Sequence, residues 1–169
     1  MSLTLRDVDA EADADLLHAW VSAERATFWG MTDRTREEVA EIYGWIQDQD
    51  HLAAYLVEAD GEPVALVQTY DPFVDEIGDY YERAAGDLGL HFFMGPDRAS
   101  LTPAVAAHML SAFFERPEVQ RIVAEPDARN HRAVRLVQRL GFELGPEVEL
   151  PHKPAQFAFL TRDVFAISR

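Results

Sequence analysis

Among the 169 residues there is no cysteine, which excludes disulfides, thiolate-held zinc and a cysteine nucleophile, and leaves thiol usage silent about redox compartment. Positive charge is scarce. Fifteen Lys and Arg stand against 30 Asp and Glu, a formal net charge of −15. Such a molecule is repelled by nucleic acid and by anionic membrane surfaces, so neither is an expected partner, whereas a small cationic substrate is drawn in. Long apolar runs are also missing: nowhere do about 18 apolar residues follow one another. The opening "MSLTLRDVDAEADAD" has neither the basic patch nor the apolar core of a secretory signal, and a cytoplasmic protein is the expectation. HExxH is absent, and His18, His51, His108 and His131 lack metal-ligand spacing, so no metal is expected.

What is present fits one domain over 1–169, with one active site. Leu16, Leu17, Trp20 and Val21 recur at helical spacing, and Thr35 followed by Glu38 is a capping-box pattern ahead of the stripe Val39, Ile42, Tyr43 and Ile46. "AAYLVEADGEPVALVQTY" reads as a hairpin turning at Asp60-Gly61, and "LGLHFFM" as a further strand. Between them, residues 71–87 carry six acids and two tyrosines with no sustained period, the pattern of a long surface loop. Thr102 and Pro103 predict the N-cap and first position of a helix ending before Pro117. "RIVAEP" is a short strand, "NHRAVRLVQRLGF" a helix with Gly141 at its C-terminal end, and two strands close the chain. The expected fold is α/β, one mixed sheet with helices on both faces.

Chemistry concentrates in "EPDARNHRAVRLVQRLGF". Ala133, Leu136, Val137 and Leu140 form an apolar stripe, while Arg129, Arg132, Arg135 and Arg139 share another face. Those arginines read either as a solvated face or as partners of a polyanionic cofactor. Asp127 reads as a turn or helix-start residue, and His91 as a lone histidine on an apolar strand.

Asn130, Ala133, Leu136, Gly141 and Phe142 match the "N-x-x-A-x-x-L…GF" layout of GNAT-type N-acyltransferases, and the chain resembles that family. "GDLGLHFFMGP", "EPDARN", the patch Phe28, Trp29 and Met31, "YDP" from Tyr70 and "LPHK" from Leu150, in this order, are similar to the N-acyltransferases of hydroxamate siderophore biosynthesis, over nearly the whole chain. That resemblance implies a GNAT-like fold and an acyl-CoA co-substrate, acetyl-CoA or succinyl-CoA. The implied acceptor is a small-molecule amine or hydroxylamine, namely N6-hydroxylysine or an N-hydroxylated diamine. It implies Asp127 as general base and His91 as a substrate contact, with a backbone N–H between Phe92 and Gly95 polarising the thioester carbonyl. Phe92, Met94, Gly95, Arg98, Ser100, Thr102, Asn130 and Arg135 are the expected cofactor contacts, and Trp29, Gln68, Tyr70 and His152 the expected acceptor contacts. A monomer or homodimer is expected. Lys153 matches the family pattern without an evident role.

Two departures from the wider family stand out. The glycines usual before the central helix are replaced by Ser100, Leu101, Thr102 and Pro103, and Pro103 has no N–H to offer an anion. Val137 stands where many members carry the tyrosine that protonates the leaving thiolate. The alternatives are therefore an acetyltransferase for another amine, such as a protein N-terminus or an aminoglycoside, and a non-catalytic acyl-CoA-binding domain.

Overall fold

A computed structural model describes residues 1–168. Seven strands form one mixed sheet in the order β1-β2-β3-β4-β5-β7-β6. They are β1 (Leu3–Asp7), β2 (Leu52–Ala59), β3 (Glu62–Tyr70), β4 (Asp87–Met94), β5 (Arg121–Ala124), β6 (Glu143–Glu149) and β7 (Pro154–Thr161). The helices are α1 (Ala14–Val21), α2 (Arg36–Gln47), α3 (Thr102–Phe114), α4 (His131–Arg139) and α5 (Arg162–Ile167). By contact density the chain divides into two units, Met1–Gln68 with Phe92–Thr102, and Thr69–His91 with Pro103–Arg169.

In the first unit, α1 and α2 bury Leu17, Trp20, Val21, Val39 and Tyr43 in one apolar cluster with Leu56 and Leu66. Each such side chain contributes roughly 1.5–3 kcal/mol relative to exposure. The capping box is formed: Thr35 accepts from the Glu38 N–H, and the Glu38 side chain accepts from the Thr35 N–H. The hairpin turns with φ of 52° at Asp60 and 84° at Gly61, the paired left-handed geometry that Asp-Gly favours. Arg6 of β1 holds the start of α1 by a two-pronged bond to Asp13, at 2.8 and 2.9 Å.

In the second unit, β5 lies between β4 and β7, parallel to the first and antiparallel to the second. Met109, Leu110, Phe113, Ile122, Phe157 and Leu160 are buried here. Helix α4 ends as the glycine predicts. Gly141 takes φ 97°, its N–H meets Gln138 O, and the Phe142 N–H meets Val137 O, the Schellman arrangement.

Four expectations change. A 3-10 turn, Ala99–Leu101, runs straight into α3, so Thr102 is already helical (φ −50°, ψ −47°) and its N–H is bonded to Ala99 O; it is not a free-standing N-cap. The apolar stripe of α4 is only half-buried, with no residue of the helix fully enclosed. Residues 71–87 hold a 3-10 turn, Glu76–Tyr80, capped by Asp75. The chain closes on α5, whose N-cap Thr161 accepts from the Val164 N–H.

Candidate active site

His91 lies on β4 with about a third of its side chain exposed. Its Nε2 is hydrogen-bonded to Oε1 of Glu125, a residue immediately after β5 whose side chain is fully buried. Tyr70, at the end of β3, donates its hydroxyl to Oε2 of the same carboxylate at 2.9 Å, and the ring centroids of Tyr70 and His91 are 5.4 Å apart. Lys153, the only lysine of the chain, brings Nζ to 3.6 Å from Glu125 Oε1. Burial acts to raise the Glu125 pKa, but the charge and hydrogen bond of His91, then Lys153 and Tyr70, hold it below the ordinary carboxylate range. Glu125 is therefore an anion. Tyr70 is pushed the other way, first by burial and then by the Glu125 charge, and it stays protonated as a donor.

Gly89 makes the Tyr70 position available. A side-chain carbon there would overlap the Tyr70 ring, so only glycine lets strand and ring lie so close.

Asp127 is 6% exposed and bridges to Ala155 of β7. Arg129 holds it twice over: Nε meets Oδ1 at 2.9 Å, Nη2 meets Oδ2 at 2.7 Å, and the Arg129 N–H also reaches Oδ1 at 2.9 Å. The guanidinium bonds set the Asp127 carboxyl below its usual range, against the opposing effect of burial. The start of α4 belongs instead to Asn130, whose side chain accepts from the Ala133 N–H at 3.2 Å. Asn130, an expected cofactor contact, is thus the N-cap of α4.

Other expected contacts fall as follows. Gly95 donates its N–H to Val64 O at 2.8 Å, so the donor expected at the thioester carbonyl is not Gly95. A Cβ on Gly95 would come within 2.7 Å of the Trp20 ring. Phe92 and Met94 are half-buried, while Arg98 and Ser100 are exposed beside Asp97, which takes φ 58° and supplies the left-handed step that a glycine commonly makes. Arg135 is exposed on α4. The ladder between β4 and β5 runs from Asp87–Arg121 to Gly89–Val123 and stops there, leaving Leu90–Met94 outside it. Trp29 packs against Phe93 at a tilt of 45°, centroids 5.4 Å apart, and Gln68 donates to the buried Tyr43 hydroxyl at 2.8 Å. Arg25 lies over the same Phe93 ring, 4.9 Å from its centroid. Tyr70, expected to line an acceptor pocket, is instead 3% exposed and commits its hydroxyl to Glu125. His152 is exposed in the β6–β7 turn, and its neighbour Lys153 is the one that turns inward. Among the described residues, no group of three or more His, Cys, Asp or Glu could hold a metal ion, and no helix is long and apolar enough to cross a membrane.

Glu125 escaped the sequence reading. Its signal, an acid directly after an apolar strand and two residues before Asp127, also fits a turn.

The family model described as acetyltransferase (GNAT) domain matches residues 9–150. N-hydroxyputrescine acetyltransferase of Acinetobacter baumannii is 25% identical over 97% of this chain and 80% of its own. The N(5)-hydroxyornithine:cis-anhydromevalonyl coenzyme A-N(5)-transacylase of Beauveria bassiana is 29% identical over 82% of this chain and 31% of its own. The solved structure of AAC(6')-Ib with paromomycin and acetyl-CoA superposes with a TM-score of 0.88 at 26% identity, covering 100% of this chain and 98% of that one. The chain belongs to the acetyltransferase (GNAT) domain family and is an acyl-CoA-dependent N-acyltransferase.

Proposed function

We propose that the enzyme acylates the terminal hydroxylamine of an N-hydroxylated diamine or of N6-hydroxylysine, forming the hydroxamate of a siderophore precursor. The observation that carries the reading is His91 held by the buried Glu125. A hydroxylamine is weakly basic and largely neutral at pH 7, so it needs no deprotonation before attack, and an imidazole serves it as orienting partner. The likeness to an N-hydroxyputrescine acetyltransferase along most of the chain supports the same reading.

Acyl-CoA supplies the activated acyl carbon and a thiolate leaving group. Two observations fit such a ligand. The β4 residues Phe92–Met94, outside the ladder with β5, suit pairing with an extended amide-bearing arm. Arg98, Ser100 and Thr102, which follow them in the same unit, offer charge and hydroxyls to phosphate. As the acceptor nitrogen forms the C–N bond, the C–S bond breaks and the nitrogen sheds its proton to Asp127, with His91 orienting the hydroxyl. A nitrogen bonded to that carbon is strongly acidic, so a carboxylate lowered by Arg129 still accepts from it.

CoA release should be measured with N-hydroxycadaverine, N6-hydroxylysine, their unhydroxylated parents and kanamycin. The reading requires kcat/KM for a hydroxylamine about 100-fold above its parent amine. Preference for kanamycin, which the likeness to AAC(6')-Ib in complex with coenzyme A and kanamycin makes the rival outcome, or CoA binding without any turnover, would overturn it. Folded Asp127→Asn and His91→Ala variants should each lose about 100-fold in turnover.

A further inference from the structure

We infer that Glu125 is a positioning residue for His91, its buried carboxylate holding the imidazole by Nε2 while Lys153 offsets part of the carboxylate charge. The inference rests on the proposal that His91 meets the acceptor. Enclosing a carboxylate is costly unless it is paired and hydrogen-bonded, and an apolar residue of similar size would stabilise a core as well or better. Yet Glu125 is fully buried and gathers groups from three places: Tyr70 at the end of β3, His91 on β4 and Lys153 in the β6–β7 turn. Of the four side chains, His91 is the most exposed, at 32% against 16% for Lys153. The buried charge therefore reaches a ligand through the imidazole.

Two consequences follow from charge and hydrogen-bond direction. An anionic Glu125 accepts from Nε2–H, which fixes the proton of the neutral ring on Nε2 and makes Nδ1 its basic nitrogen. Lys153 Nζ, 3.6 Å from Oε1 of the same carboxylate, offsets part of its negative charge. The other charged or titratable groups acting on this cluster are Tyr70, protonated and donating, Asp127 through its interaction with Lys153, and Asp75 and Tyr81 through theirs with Tyr70.

Nitrogen-15 NMR of the histidine side chains tests this without any acceptor. In the wild-type protein the neutral His91 ring should be the Nε2–H tautomer, and an Nδ1–H ring would overturn the inference. Glu125→Gln should weaken proton binding at His91 about tenfold, one pKa unit, whereas Lys153→Gln should strengthen it by a similar factor. The acid limb of kcat/KM, measured with whichever acceptor the wild type prefers, should move down in the first variant and up in the second. Carboxylate and lysine acting only as internal glue would leave the His91 titration in place, and shifts of the same sign in both variants would also overturn the inference. Should one variant fail to fold, the other and the wild-type tautomer decide. If no hydroxylamine is turned over while the opposite shifts are seen, the acceptor reading fails and the Glu125 role stands.

Discussion

Gly89 acts through the side chain it lacks. The Tyr70 ring occupies the space a Cβ would fill, and its hydroxyl is held by Glu125, so the ring cannot move away without breaking that bond. Gly89→Ala should therefore destabilise by about 1–3 kcal/mol, the usual cost of overpacking, and should lower turnover as the Glu125 network shifts. Thermal melts and CoA release check both; an unchanged melting temperature would show that the ring is not so confined. His91 and Asp127 were legible as candidates because the residues around them match a family. Glu125 was not, because it is one of 30 acids, and its partners Tyr70 and His91 lie 55 and 34 residues away in sequence.

Helices and turns were easier to read, since their signals are local. The capping box at Thr35 and the terminating Gly141 each depend on residues within a few positions, and both form as the spacing predicts. Thr102 went the other way: its sequence resembles an N-cap, but the 3-10 turn before it continues into α3 and makes it helical. At Asn130 the element and the site compete for one side chain. Asn130→Ala should cost about 1 kcal/mol through the lost cap, a fall in melting temperature of roughly 2–4 °C for a chain of this size, with Asn130→Asp retaining most of it. If Asn130 instead meets the acyl donor, KM for acyl-CoA rises in the alanine variant while the melting temperature holds.

The strong negative charge acts on the molecule as a whole. Five carboxyls sit below their ordinary range in the folded protein: Asp13 through Arg6, Glu38 through the Thr35 N–H, Asp127 through Arg129, and Asp87 and Glu125, where burial opposes the shift and Arg121 and His91 prevail. A carboxyl lowered by folding contributes stability that is complete above its unfolded value, near 4, and is lost as pH falls through the folded value. The melting temperature should be nearly flat from about pH 6 to 8 and fall steeply below about pH 4.5. A stability curve still flat at pH 3 would contradict these pairings. Excess negative charge repels itself throughout that upper range, so added salt should raise the melting temperature modestly near neutrality.

The sequence by itself determined the α/β class, the order of most elements, the hairpin turn and the absence of cysteine chemistry. Periodicity, caps and turn residues act over a few positions, and composition needs no positions at all. Family likeness added the acyltransferase reading. Only the tertiary structure decided that Tyr70 is buried, that Lys153 rather than His152 turns inward, and that Glu125 holds His91. Those outcomes depend on strands distant in the chain meeting around one carboxylate, and a buried charge is stable only where such distant partners converge.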